Sequence, residues 1–153
     1  MHPSKLQRGE FIAIGGGLLL LAALFTDWYA TTGLGRIAFD GADRSGAFTG
    51  WEIHTLIRWL FLAAAVAPLI LAYIIVRDHA LSWPRGEMTA VVAVASFGLL
   101  TYNGLLAQPG TSNDLTTLEA GWYVAVLGTL LMLAGSAVRS SKVERKRKPP
   151  GTL

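Results

Sequence analysis

The chain has 153 residues, of which 52% are hydrophobic and only 15% charged, with a mean hydropathy of +0.46. A soluble domain carries about 25% charged residues, so the composition points to a membrane protein whose length leaves short loops and a tail beside its apolar segments. The absence of cysteine excludes disulfides, thiolate metal sites and dithiol relays, and the net charge of +3 is sorted unevenly along the sequence.

Four apolar stretches, Phe11–Thr26, Trp59–Val76, Met88–Ala107 and Ala120–Val138, set the expected fold. A helix of about 20 residues, rising about 1.5 Å per residue, crosses roughly 30 Å of hydrocarbon. With their flanks the stretches predict an all-α, four-helix transmembrane bundle with spans at about 9–29, 55–77, 87–108 and 118–138. They form a single domain, 1–138, followed by a basic tail, 139–153.

The first stretch follows Lys5 and Arg8, as in a signal peptide, but Leu24-Phe25-Thr26-Asp27-Trp28 puts bulky residues where a cleavage site needs small ones. It reads as an uncleaved anchor. Gly15, Gly16 and Gly17 in succession form a notch for a crossing neighbour. The first loop, Ala30–Gly50, contains five glycines and is either flexible or a short hairpin around Asp40-Gly41. Thr49-Gly50-Trp51-Glu52 fits a capping box at the start of the second span, with Phe48 and Ile53 as its hydrophobic staple. Pro68, near the middle of that span, predicts a static kink. The second loop, Gln108–Glu119, opens on the turn signal Pro109-Gly110 and closes on a second capping box, Thr116-Thr117-Leu118-Glu119. Gly121, Gly128 and Gly135, seven apart, lie on one stripe of the fourth span, and Ala125 adds to that face.

Charge orients the bundle. Lys5, Arg8, Arg77, Arg85, Arg139, Lys142, Arg145, Lys146, Arg147 and Lys148 fall on one side, and Arg36, Arg44 and Arg58 on the other. Ten against three predicts a multi-pass plasma-membrane protein with both termini cytoplasmic. In the tail, Arg139, Lys142, Arg145, Lys146, Arg147 and Lys148 against Glu144 leave a net +5 (six minus one), which fixes topology and attracts anionic lipid. The tail has no aromatic residue for stacking on bases, and nucleic acid is not an expected partner.

Seven Trp and Tyr residues map to the outer boundary: Trp28, Tyr29, Trp51, Trp59, Tyr102, Trp122 and Tyr123. They predict a one-sided aromatic belt at headgroup level. Polar groups from all four helices gather at the same level: Asp27, Glu52, His54, Arg58, Asn103, Gln108 and Glu119. Asp27, Glu52, His54 and Arg58 either line an outward-facing pocket for a small ligand, cation or partner peptide, or Arg58 snorkels and pairs with Asp27 while the glutamates cap helices and His54 is a solvated interface residue. His2, His54 and His79 are scattered over both faces, so neither a metal nor another cofactor is expected.

Asp27-Trp28-Tyr29 after the first span, the Gly-rich outer loop and Gly50-Trp51-Glu52 at the second together resemble uncharacterised four-span integral membrane proteins of actinobacteria. That resemblance implies a plasma-membrane protein and carries no catalytic residue. The layout is also similar to the claudin-like one, with Trp28 and Trp51 in the first outer segment, but without the paired cysteines, so no junction function is carried over. Three function classes follow. The first is a structural or accessory protein that meets another membrane component, or its own copy, through its glycine stripe or outer aromatic face. The second is an oligomeric transporter or channel component using the outer polar pocket, and the third is a lipid-directed enzyme. No mid-membrane carboxylate pair and no catalytic constellation marks the last two.

Overall fold

The computed structural model describes residues 6–39, 42–77, 87–110 and 115–144. It is mostly helical, and three of its helical stretches, Ile57–Val76, Glu87–Leu106 and Ala120–Arg139, are long and apolar enough to cross a membrane. The chain runs α1 (Arg8–Ala23), β1 (Asp27–Thr31), β2 (Ile37–Phe39), β3 (Ala42–Arg44), β4 (Ala47–Thr49), α2 (Gly50–Ile53), α3 (Ile57–Val76), α4 (Glu87–Thr101), β5 (Thr116–Leu118) and α5 (Ala120–Glu144). A π-helical turn, Tyr102–Leu106, prolongs α4. The long helices pack in a ring, with α1 between α3 and α5, and α4 closing the other side.

The first helix is shorter than the span expected over 9–29. It ends at Ala23 because the Thr26 hydroxyl and the Trp28 indole both donate to the Ala23 carbonyl, at 2.8 and 2.6 Å, and the chain turns into a strand. Its 16 residues rise about 24 Å. The helix of the fourth apolar stretch, α5, starts at Ala120 and continues to Glu144, past the expected boundary at 138. Arg145, Lys146, Arg147 and Lys148 lie outside the described residues.

Glycines seat α1 on α5. A Cβ on Gly16 would stand 2.5 Å from the Gly128 carbonyl oxygen, one on Gly128 would stand 2.8 Å from the Gly16 oxygen, and Gly9 and Gly135 oppose each other in the same way at 2.7 and 2.5 Å. Backbone therefore touches backbone along two turns, which is how helices gain association energy where lipid removes the hydrophobic drive. Gly121 continues the seam against Asp27. The expected stripe is real, and its partner is α1 of the same chain. Gly17 meets α3 at the Ala65 carbonyl oxygen and at Pro68, so the proline ring is packed against α1. Gly15 differs from its neighbours: a Cβ there would meet nothing within 4 Å, and it makes no helix contact of the expected kind.

At one end of the ring the two loops fold together. β1 pairs antiparallel with β4 and β5 in the order β4-β1-β5, with Tyr29 opposite Phe48 on one side and Leu118 on the other. A bulge falls at Trp28. Thr32 N–H adds a 2.9 Å bond to the Leu115 carbonyl, and Glu119 N–H a 2.8 Å bond to that of Trp28. β2 and β3 form the expected hairpin, with Phe39 opposite Ala42; the connecting Asp40-Gly41 lies outside the described residues. The sheet was not expected. The second capping box is lost to it, since Thr116–Leu118 is a strand and the Thr116 hydroxyl donates to Pro109 O at 3.2 Å.

Candidate functional site

The sheet end carries most of the chemistry, and Trp28 organises it. The bulge turns its ring inward, where it is fully buried against Phe61 of α3 (5.5 Å between ring centroids) and His54 (5.6 Å). Gly50 packs directly on the indole, so any side chain there would collide with it, and Gly121 approaches its edge beside Thr26 and Asp27. One residue thus joins α1, α2, α3 and α5. Trp122 does the same for α4: its indole lies on Gly104 and donates to the Leu100 carbonyl at 3.1 Å. The π turn leaves backbone acceptors to be satisfied from outside the helical ladder. Tyr29 donates its hydroxyl to Asn103 O at 3.2 Å, and burial pushes its phenol upward in pKa.

His54 sits in the same core and is only 6% exposed. Edge-on rings of Trp28, Tyr29 and Phe61 surround it at 5.6–6.0 Å, and Nε2 has no hydrogen-bond partner. Desolvation lowers its pKa to about 4, so it is neutral at pH 7. It is not a solvated interface residue.

The other polar groups expected at this level are held mostly by partners close in sequence. Asp27 is exposed at the start of β1, opposite Thr49. Glu52 completes the first capping box, accepting from Thr49 N–H at 3.0 Å and from its hydroxyl at 2.9 Å, and those bonds hold its carboxyl below the usual range. Asn103 and Gln108 donate to carbonyls one turn back, Leu99 O at 2.9 Å and Gly104 O at 2.6 Å. Glu119 N-caps α5 through its carbonyl, which accepts from Trp122 N–H at 3.1 Å. Arg58 does not pair with Asp27. It lies over Trp51 and Trp59, 5.0 and 5.6 Å from their centroids, and donates to Trp51 O at 3.3 Å. Glu52, Asn103 and Gln108 are thus satisfied within one turn of their own positions, and Arg58 finds its acceptor seven residues back.

The aromatic belt is also smaller than expected. Trp28, Tyr29 and Trp122 are core residues, whereas Trp59, Tyr102 and Tyr123 face outward and Trp51 is half-buried. Each inward ring has found a backbone acceptor for its polar tip, which removes the reason to sit at an interface.

At the opposite end lies an ion pair that the sequence reading missed. Glu10 of α1 and Arg139 of α5, each 4% exposed, meet at 3.2 Å. The other Glu10 oxygen accepts from Gln7 N–H at 2.7 Å, so one carboxylate caps α1 and ties it to α5. Arg139 is therefore not available to anionic lipid, and Lys142 is the first tail cation after it. Among the described residues no cluster of His, Asp or Glu fits a metal. Comparison with protein-family models, with curated proteins and with solved structures finds no match.

Proposed function

We propose that this chain is a multi-pass plasma-membrane protein with four membrane-crossing helices and both termini cytoplasmic, acting as a structural or accessory protein that docks another membrane component on its sheet-bearing outer face. α1 joins the three longer helices as the fourth span because its glycine seam with α5 runs its whole length. The observation that carries the docking reading is that both outer loops are hydrogen-bonded into one sheet anchored by Trp28, which makes that face a fixed platform. The glycine stripe belongs to the interior and is not the docking surface. Polar groups consumed by caps weigh against the transporter alternative.

Leu34, 87% exposed at the turn between β1 and β2, is suited to a photo-crosslinking side chain, with Val91 on the outward side of α4 as a lipid-facing control. The accessory reading expects a discrete adduct to another membrane component from position 34 and none from position 91. Adducts only between copies of this chain, or none at all, contradict it.

A further inference from the structure

Arg58 is a framed cation with no counter-ion among the described residues. It stands in the first turn of α3, framed by Trp51 and Trp59, which meet edge to face at 5.3 Å, while Phe25 stacks on Trp51 at 5.4 Å. Nη1 has only the 3.3 Å bond to Trp51 O, Nε is buried with no acceptor, and no carboxylate lies within ion-pair range among the described residues. Glu52, six positions earlier, is turned away to Thr49. A guanidinium stays protonated in proteins, so this charge is uncompensated among the described residues.

The rim of the cluster says what supplies the missing anion. Leu56 is 83% exposed, Trp59 55% and Phe25 59%, an apolar collar open to the surroundings at the end of a span. Resting on the membrane-crossing reading above, this collar lies at headgroup level, where the abundant anionic oxygens are phosphodiester oxygens. The terminal edge of a guanidinium, with its donors in a fixed plane, matches two such oxygens. We propose that Arg58, framed by Trp51 and Trp59, binds the phosphodiester of an outer-leaflet phospholipid whose acyl chains run down the exposed flank of α3.

The test is native mass spectrometry of the detergent-extracted full chain against an equimolar mixture of phosphatidylcholine and a galactosyl diacylglycerol with the same acyl chains. Phosphatidylcholine carries the phosphodiester without net charge, so the basic tail gains little from it. The wild type retains one phosphatidylcholine with at least about tenfold preference over the glycolipid, R58Q brings the preference close to one, and R58K, which keeps the charge and loses the fork, lies between. Equal retention of both lipids by the wild type, an undiminished preference in R58Q, or displacement by excess inorganic phosphate each overturns the proposal. The wild-type comparison stands even where R58Q fails to fold. Alkali-resistant membrane association, measured on the membranes before extraction, separates the outcomes: its failure refutes the membrane reading, whereas a lost preference with association intact refutes the lipid site alone.

Discussion

Acidification provides a direct probe of the buried core at the sheet end. His54 has an ordinary value of 6.5 and, in its aromatic cage, a folded value of about 4 because burial penalises the imidazolium. At about 1.4 kcal/mol per pH unit, protonating it in place costs the fold about 3 kcal/mol. The sign follows from linkage: the unfolded chain binds the proton more tightly than the folded one, so acid favours unfolding. The contribution is fully present above about pH 6.5, declines as the pH falls, and is gone near pH 4. His54→Phe removes the titration while keeping a ring among Trp28, Tyr29 and Phe61, and leaves the backbone carbonyl that accepts from Arg58 N–H at 2.9 Å. Denaturant titration in detergent micelles, followed by tryptophan fluorescence between pH 7.5 and pH 4, measures both proteins. The wild type loses about 3 kcal/mol more than the variant across that window. Equal losses would refute the reasoning, since they would mean that His54 is hydrated or finds a partner when charged.

Three further outcomes follow from the packing. Gly16→Ala and Gly128→Ala force apart backbones that already touch and destabilise the protein by about 1–3 kcal/mol, while Gly15→Ala, with open space around it, is neutral or stabilising by up to about 1 kcal/mol. Thermal melting in detergent checks this, and identical melting of all three variants would remove the seam from the account. Glu10→Ala leaves Arg139 buried beside a lost partner and costs about 3–5 kcal/mol, whereas adding Arg139→Leu recovers most of it. A double variant no more stable than Glu10→Ala would show the pair to be uncoupled. Gly50→Ala, which drives a methyl into the Trp28 ring, lowers the melting temperature more than Gly46→Ala, whose site has open space even though its φ of +125° makes alanine strained. The reverse order would displace Trp28 from its role.

The helices were legible because twenty-residue apolar runs and sevenfold glycine spacing are local signals, and α3, α4 and α5 appear where those signals lie. The sheet was not, because its strands are three to five residues long and its pairing is remote: the Thr117 hydroxyl reaches Ala30 O across 87 positions. Asp27-Trp28-Tyr29 read as the end of a span, and only the acceptor at Ala23 explains why the helix stops there. The same ambiguity affected the aromatics. A tryptophan with a polar tip suits either an interface or a core with a free carbonyl, and the sequence does not show where the free carbonyls are. Glu10 and Arg139 come from opposite ends of the chain, so neither carried a sign that it belonged to the other. The glycine stripe was visible, but its occupant required knowing that Gly9 and Gly16 lie across from it.

The proposed arrangement of four crossing helices, with the sheet outside and the Glu10–Arg139 end inside, is tested most directly by single-cysteine accessibility, since the chain has no cysteine to remove. Ser45, exposed between β3 and β4, is replaced by cysteine in one variant, and Ser4 and Ser141 in two others. A membrane-impermeant maleimide applied to intact cells labels position 45 at once and reaches positions 4 and 141 only after permeabilisation. Labelling of position 4 or 141 from outside, or protection of position 45 until the membrane is opened, contradicts the account.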